Sequence, residues 1–312
     1  MRKVIGIGET VLDIIFRDSQ PVSALPGGST FNAIISLARS GVTTRFISET
    51  GNDHVGSIIT SFLEQNGCPA TSVSIYPDSK SPLSLAFLNE QNDADYVFYK
   101  DHPNDRLDFV MPDIQADDIV LFGSYYALNP VIRKQVYEFL AFAREQGAIL
   151  YYDVNFRAAH QSEVVRLRSN LLENFELADI VRGSSEDFEV LFRKTDAAAI
   201  YRSEIMFYTH RFIYTRAAEP IEVFSDGGFH KQYPVAPVQT VSTVGAGDNF
   251  NAGLLFGLIR DGITRQQLEQ GLSEQQWDRL IASGQAFSAE VCASLQNYVS
   301  PAFGDARRQE LL

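Results

Sequence analysis

Short apolar segments alternate with amphipathic segments along most of this chain, and that alternation limits the folds open to it. Val4–Gly8, Asp118–Phe122 and Ala148–Asp153 have the length and composition of buried strands. Phe31–Arg39 and Pro130–Gln146 carry apolar residues at helical spacing. Repeated strand–helix units form a mostly parallel sheet that helices cover on both faces. The pattern therefore predicts an α/β fold, which we treat as a single domain over residues 1–312.

The middle of the chain interrupts this alternation. Ser84–Leu88 and Tyr96–Lys100 are short strand-like segments, and the polar stretch Asn89–Asp95 joins them as the turn of a hairpin. A hairpin inserted into an α/β chain is a candidate lid over a site at the edge of the sheet.

Two glycines, Gly245 and Gly247, stand directly before the apolar helix predicted over Asn249–Ile259. Such a turn lets the backbone aim several free N–H groups at one point, and the helix dipole makes that point attractive to an anion. Asp248 lies just inside, where a carboxylate could take a proton from a hydroxyl attacking a bound phosphoryl group. The local string is equally compatible with a plain glycine-rich turn in which Asp248 is an ordinary first-turn acid.

Charge and cysteine content exclude some classes of partner. The formal net charge of −13 disfavours nucleic acid and anionic membrane surfaces, although a helix N-terminus can still bind a phosphate locally. Cys68 and Cys292 are far apart and predict neither a disulfide framework nor a zinc site. The apolar run at the start ends at Glu9, too short for a signal-peptide core, and no later stretch is long enough to cross a bilayer. We expect a cytoplasmic protein.

Common nucleotide-binding motifs are missing or incomplete. Gly6 and Gly8 match the first two glycines of a dinucleotide fingerprint, but Val11 stands where the third belongs. The chain has no Gly-x-x-x-x-Gly-Lys-Ser/Thr string, which excludes a P-loop enzyme, and no Gly-x-Ser-x-Gly elbow.

A set of strings resembles, in order, the motifs of the PfkB (ribokinase-like) carbohydrate kinase family: Gly8–Asp13, Pro26–Ala33, Gly51–Gly56, Asp153–Arg157 and Val244–Gly253. The resemblance spans nearly the whole chain. It implies a ribokinase-like three-layer sandwich with a mostly parallel central sheet and a small β-sheet lid. The lid would be formed by about residues 13–27 and 83–107, and in many relatives it also makes a dimer contact, so a homodimer through the lid is possible.

The resemblance also implies roles for individual residues, with MgATP and a small sugar as the bound molecules. Asp248 would be the base, and the anion hole would be formed by the amides of Gly245, Ala246 and Gly247. The sugar would be held by Asp13, Gly28, Asn32, Tyr99 and Arg157. The nucleotide would be held by Glu186, Thr215 and Thr243, with Glu186 organising Mg²⁺ through water.

Three positions depart from the family pattern. Ser242 stands where relatives usually have the Asp that helps to hold a monovalent cation, which puts K⁺ activation in doubt. Gly183 replaces the Asn of an Asn-x-x-Glu motif, and Arg216–Glu219 replaces a glycine-containing nucleotide motif. None of these departures touches Asp248 or the amides beside it.

The acceptor is indicated by the predicted hairpin. Leu85–Leu88 and Tyr96–Lys100 resemble the fructokinase branch, so we expect fructose. The alternatives are 2-keto-3-deoxygluconate, for which Lys100 in place of Arg would give a weaker carboxylate clamp, and ribose or a nucleoside. A non-catalytic sugar or nucleotide sensor with the same fold is the alternative outside the enzymes.

Overall fold

The computed structural model of the protein describes residues 2–88, 94–101 and 107–312. Its strands are β1 (Lys3–Ile7), β2 (Val11–Arg17), β3 (Gln20–Gly27), β4 (Thr43–Gly51), β5 (Val73–Tyr76), β6 (Lys80–Leu88), β7 (Ala94–Asp101), β8 (Ile119–Gly123), β9 (Ile149–Asp153), β10 (Ile180–Ser184), β11 (Phe212–Arg216), β12 (Glu219–Ser225) and β13 (Phe229–Tyr233).

The α-helices of the same described part are α1 (Ser29–Arg39), α2 (His54–Gln65), α3 (Ser124–Leu128), α4 (Arg133–Glu145), α5 (Val164–Leu177), α6 (Ser185–Phe192), α7 (Ala197–Ile200), α8 (Ala246–Arg260), α9 (Arg265–Gln270), α10 (Glu274–Cys292) and α11 (Pro301–Arg308). None of these helices is long and apolar enough to cross a bilayer.

The larger sheet has nine strands in the order β13-β12-β11-β10-β9-β8-β1-β4-β5. The strands from β11 to β5 run parallel, and β12 and β13 add an antiparallel edge. Successive residues of β1 enter different hydrophobic cores: Val4 belongs to the core that contains Phe250 of α8, and Ile5 to the core that contains Phe139 of α4. Helices on both faces of a parallel sheet make the predicted three-layer α/β sandwich, and this prediction is confirmed.

The smaller sheet has four strands in the order β3-β2-β6-β7. β2 pairs with β6 in parallel, and the rings of Phe16 and Phe87 stack between them with centroids 4.9 Å apart. This is the predicted lid sheet, built from two separate parts of the chain. Within the predicted lid and its turn Asn89–Asp95, residues 89–93 and 102–106 lie outside the described residues.

The structure differs from the sequence-based prediction in some elements. The sequence from Ala197 to Tyr208 predicts one continuous α-helix, but α7 ends at Ile200 and a π-helical turn follows over Tyr201–Ile205. The periodicity of such a short segment does not distinguish these hydrogen-bond patterns. The sequence reading also missed β5, α9 and α11, which are too short to show a clear period.

Candidate active site

A cleft of about 350 Å³ opens at the carboxyl ends of the central strands, below the lid. Ligands of open parallel sheets bind at this edge. The cleft is lined by Glu9, Thr10, Val11, Asp13, Gly28, Ser29, Asn32, Glu49, Pro82, Phe98, Ser124, Tyr125, Tyr126, Asn129, Asn155, Arg157, His160, Val244, Gly245 and Asp248. The predicted sugar-binding residues Asp13, Gly28, Asn32 and Arg157 therefore share one cavity with Gly245 and Asp248.

The glycine turn before α8 is held against the C-terminal part of the chain. Gly245 has φ 77°, and a Cβ there would lie 2.7 Å from the carbonyl oxygen of Asn297. The Asn249 side-chain amide donates to the carbonyls of Gly245 and Asn297, both at 2.8 Å. A larger residue at 245 would therefore be strained and would also clash.

The amides of this turn are not all equivalent. Ala246 N–H donates to the Thr243 carbonyl at 3.2 Å, so it is engaged within the turn. Gly247 N–H lies in the first turn of α8, where amides have no intrahelical acceptor and the helix dipole is positive. The helix N-terminus thus offers donors to an anion in front of it.

Asp248 is a buried carboxylate at this helix N-terminus, with 8% of its surface exposed. Asn32 Nδ2 donates to its Oδ2 at 2.8 Å and thereby orients it. Burial raises the pKa of Asp248 to about 6; the hydrogen bond from Asn32 opposes the rise, and the charge of Asp153 adds to it. A group with this pKa is ionised at neutral pH and is a better proton acceptor than an ordinary aspartate.

Asp13 is the second buried carboxyl group of the cleft. Asn297 Nδ2 donates to its Oδ2 at 3.0 Å. Burial, together with the negative charges of Asp248 and Glu9, raises the pKa of Asp13 to about 7. A Cβ on Gly27 would lie 2.1 Å from the Asp13 carboxylate, so only glycine fits there.

Gly28 and Asn32 lie at the start of α1. Gly28 has φ 124°, and a Cβ there would lie 2.3 Å from the carbonyl oxygen of Glu9. The Gly28 carbonyl accepts a hydrogen bond from Asn32 N–H at 2.8 Å. This close approach of backbones brings α1 against the end of β1 and places Asn32 beside Asp248.

A buried cation lies behind the glycine turn, and the sequence reading missed its role. Arg182 donates to Asp153 Oδ1 at 3.0 Å and to Thr215 Oγ1 at 2.6 Å. A Cβ on Gly247 would lie 3.1 Å from the guanidinium nitrogens. A positive charge at this point adds to the field of the helix N-terminus. In the sequence, the only indication of this role is a charged residue that follows the short apolar pair Ile180 and Val181.

The predicted nucleotide residues lie outside the cleft lining. Glu186 is exposed in the first turn of α6, whereas its neighbour Asp187 is buried and accepts hydrogen bonds from the amides of Phe156 and Ser184. Thr215 binds Arg182, as described above, and Thr243 is exposed. The roles proposed for Glu186, Thr215 and Thr243 remain predictions.

Three further positions that the sequence singles out are Tyr99, Lys100 and Ser242. Tyr99 of β7 is 57% exposed and does not line the cleft, whereas its neighbour Phe98 does. The side chain of Lys100 lies outside the described residues. Ser242 is buried, and its hydroxyl accepts a hydrogen bond from Val244 N–H at 3.2 Å. Among the described residues, no group of at least three His, Cys, Asp or Glu side chains could form a metal cage.

The family that this site indicates is confirmed by comparison with known proteins. The chain matches the model of the pfkB family carbohydrate kinases over residues 1–300. It therefore belongs to this family and is a sugar kinase, which confirms the predicted ATP-dependent carbohydrate kinase of the fructokinase-like branch.

Individual relatives are distant. The chain is 25% identical over 286 residues to the probable chloroplastic fructokinase-6 of Arabidopsis thaliana, covering 87% of this chain and 73% of that protein. It is 27% identical over 259 residues to a 5-dehydro-2-deoxygluconokinase of Geobacillus kaustophilus, covering 78% of this chain and 76% of that protein. The fold matches a Vibrio cholerae fructokinase double mutant in fructose-, ADP- and potassium-bound form, with a TM-score of 0.82, 20% identity and coverage of 95% and 94%.

Proposed function

We propose that this protein transfers the γ-phosphoryl group of ATP to a hydroxyl of a small neutral sugar, fructose. The observation that carries the proposal is the position of Asp248. This buried carboxylate is oriented by Asn32 at 2.8 Å, lies at a helix N-terminus and shares its cleft with Asp13. The fructokinase relatives support fructose as the acceptor.

The chemistry follows from this arrangement. Phosphoryl transfer needs in-line positioning and charge stabilisation more than covalent catalysis. Asp248 would accept the proton of the attacking hydroxyl, a role typically worth about 10²–10⁴-fold. The amides of the glycine turn would stabilise the charge on the transferring group, and each such donor is worth about 10²–10³-fold. Arg182, held behind the turn by Asp153 and Thr215, would strengthen the positive field.

The nucleotide would bind on the other side of the glycine turn from the sugar, over β9 to β11, with Thr243 and Thr215 nearby. Mg²⁺ in kinases is bound mainly by substrate phosphates, waters and one or two carboxylates. Glu186, exposed in the first turn of α6, fits a contact through water. The metal would neutralise phosphate charge during the transfer.

A sugar acid is the second candidate acceptor. One relative acts on 5-dehydro-2-deoxygluconate by its name, and Arg157 lines the cleft. A single arginine could pair with the carboxylate of such a substrate or of 2-keto-3-deoxygluconate.

The lid would serve a second purpose as a contact between copies of the chain. Its outward residues Val97 and Tyr99 are 42% and 57% exposed. We propose a homodimer through this sheet, and sedimentation of the wild type against Tyr99→Lys would test it.

The function is tested by ADP release from MgATP across fructose, 2-keto-3-deoxygluconate, ribose, tagatose and adenosine. We expect selective turnover of fructose. Turnover of another sugar would correct the acceptor but keep the reaction. Binding of sugar or ATP by calorimetry, without turnover of any panel member, would favour a non-catalytic sensor.

A further inference from the structure

The acceptor end of the cleft contains two acidic side chains from neighbouring strands. Ile7 of β1 pairs with Ile47 of β4, and Gly8 N–H donates to the Ile47 carbonyl at 3.2 Å. Continuing this parallel register by two residues sets Glu9 beside Glu49. Both side chains line the cleft, and Glu49 is only 5% exposed.

The backbone that carries these two carboxylates is firmly held. Thr10 Oγ1 donates to the Glu49 carbonyl at 2.8 Å, and Ser48 Oγ donates to the Gly8 carbonyl at 2.6 Å. Side chain-to-backbone bonds thus tie the end of β1 to the end of β4. A site built on bonded strand ends is rigid enough to select between ligands.

Tyr126 provides an independent sign of a ligand at this place. It follows β8, the neighbour of β1 in the sheet, and lines the cleft with 6% of its surface exposed. Its buried hydroxyl has no hydrogen-bond partner among the described residues. Because buried polar groups are nearly always hydrogen-bonded, this hydroxyl is open to a partner that none of the described residues supplies.

The protonation state of the Tyr126 hydroxyl determines which ligand groups can hydrogen-bond to it. Burial raises the pKa of its hydroxyl well above the ordinary value, and the charges of Glu49 and Glu9 add to the rise. The group therefore remains a neutral phenol, which can donate to a ligand oxygen and accept from a ligand hydroxyl. The carboxylates beside it accept only.

The charges around the cleft favour one class of acceptor. The lining has four acidic side chains: Glu9, Glu49, Asp13 and Asp248. Its basic side chains are Arg157 and His160. The His160 ring stacks on that of Tyr125, with the ring centroids 3.9 Å apart. Arg157 and His160 follow β9, on the other side of β8 from β1 and β4. An anionic group at the Glu9–Glu49 end would meet like charges within a buried region.

We propose that Glu9, Glu49 and Tyr126 form a specificity subsite that binds the hydrogen-bond-donating groups of the acceptor, hydroxyl or ammonium, and rejects a carboxylate. The subsite rests on the proposed function, because it lies in the cleft that would bind the acceptor. It makes a neutral or amino sugar the substrate class and disfavours sugar acids.

The test compares Glu49→Gln and Tyr126→Phe with the wild type on fructose, 1-amino-1-deoxyfructose and 2-keto-3-deoxygluconate. Glu49→Gln keeps the size of the side chain and removes its charge. Glu138→Gln, the same change at an exposed position of α4, is the matched control. Thermal unfolding of every variant separates loss of fold from loss of contact.

For the wild type we expect kcat/KM to be at least tenfold higher for fructose and the amino sugar than for the sugar acid. Glu49→Gln should lower kcat/KM for the amino sugar and fructose by about 10-fold, mainly through KM, as expected for a lost hydrogen bond to a charged group. The preference against the sugar acid should shrink accordingly. Tyr126→Phe should lower fructose efficiency by about 5-fold, and Glu138→Gln should match the wild type.

A wild-type preference for the sugar acid would overturn the subsite while leaving a kinase. So would folded Glu49→Gln and Tyr126→Phe variants whose efficiencies and preferences stay within twofold of the wild type. Turnover of none of the sugars would instead contradict the proposed function. The subsite would then be tested by calorimetric binding of the same sugars, and binding unchanged by Glu49→Gln would overturn it.

Discussion

The two ends of the cleft are built in different ways. At the end that we propose binds the phosphate, one short string from Gly245 to Asp248 supplies the turn, the helix N-terminus and the proposed base. At the acceptor end, over β8, β1 and β4, the lining comes from Glu9, Glu49 and Tyr126, which are far apart in the chain. In this proposal the reacting groups are specified by local sequence, whereas the choice of acceptor depends on tertiary structure.

The two buried aspartates of the cleft have similar surroundings. Burial raises the pKa of Asp248 to about 6 and that of Asp13 to about 7. Each accepts a hydrogen bond from an asparagine, Asn32 for Asp248 and Asn297 for Asp13. If Asp248 acts in the chemical step and Asp13 in holding the sugar, their substitutions should affect different kinetic constants.

The largest effect is expected from Asp248→Asn. The amide preserves the shape of the side chain but cannot accept the proton, so kcat should fall by at least about 100-fold. Sugar affinity by calorimetry should change little. Asp305→Asn, at an exposed position of α11, is the control and should retain wild-type turnover. Full activity of Asp248→Asn would show that Asp248 is not the base.

The pH dependence of the rate should distinguish the two aspartates, because activity falls about tenfold per pH unit below the pKa of a group that must be ionised. Asp248 must be ionised to act as base, so kcat/KM, which reports the free enzyme, should fall as pH drops below about 6. In kcat/KM a second loss should begin below about 7, where Asp13 becomes protonated. Because the negative charge of Asp248 raises the pKa of Asp13, the two steps are coupled and these are values of the pair. In Asp13→Asn the upper step should vanish, and its persistence there would assign that step to another group.

A stability effect of about 4 kcal/mol is expected from Asp13→Asn, since a pKa rise of about three units corresponds to this free energy. The folded-state pKa of Asp13 is raised to about 7 from 3.8, so the folded state binds more protons than the unfolded state between these values. The free energy of unfolding therefore falls as pH rises through this window, and the full cost remains above pH 7. Denaturant unfolding should show Asp13→Asn more stable than wild type at pH 8, with the difference absent at pH 3. Equal stability at pH 8 would mean that Asp13 carries no such cost.

The smallest effect concerns the monovalent cation. Ser242 replaces the usual aspartate, and its hydroxyl is used by Val244 N–H. Replacing K⁺ with tetramethylammonium at constant ionic strength should therefore leave the rate unchanged. Marked stimulation by K⁺ would show that other groups complete a cation site beside the turn, and Ser242→Asp is expected to enhance any such response.

Motif strings predicted the phosphate end because each of its parts is local. The glycine turn and Asp248 lie within four residues, and the positive φ at Gly245 follows from residue type. Gly28 and Asn32 are likewise local, one helical turn apart at the start of α1, and both line the cleft, while their roles remain predictions. The strand–helix alternation likewise predicted the sheet, since each apolar run is buried on both faces.

The predictions that failed depended on which face of a strand or helix a side chain occupies, and on contacts between residues far apart in the chain. Phe98, not Tyr99, lines the cleft, because adjacent residues of a strand point to opposite faces and a one-residue difference reverses the assignment. The same one-residue ambiguity applies to exposed Glu186 and buried Asp187 on α6. Arg182 could not be assigned from sequence, because its partners Asp153 and Thr215 lie on the two neighbouring strands.

The most direct test of the central claim is detection of the phosphorylated sugar. Wild-type protein with MgATP and fructose should produce a sugar with one added phosphate, measured by mass spectrometry, in amounts equal to the ADP released. Release of ADP without any phosphorylated sugar would mean that water, not the sugar, receives the phosphoryl group. That result would contradict a cleft built to activate a sugar hydroxyl through Asp248.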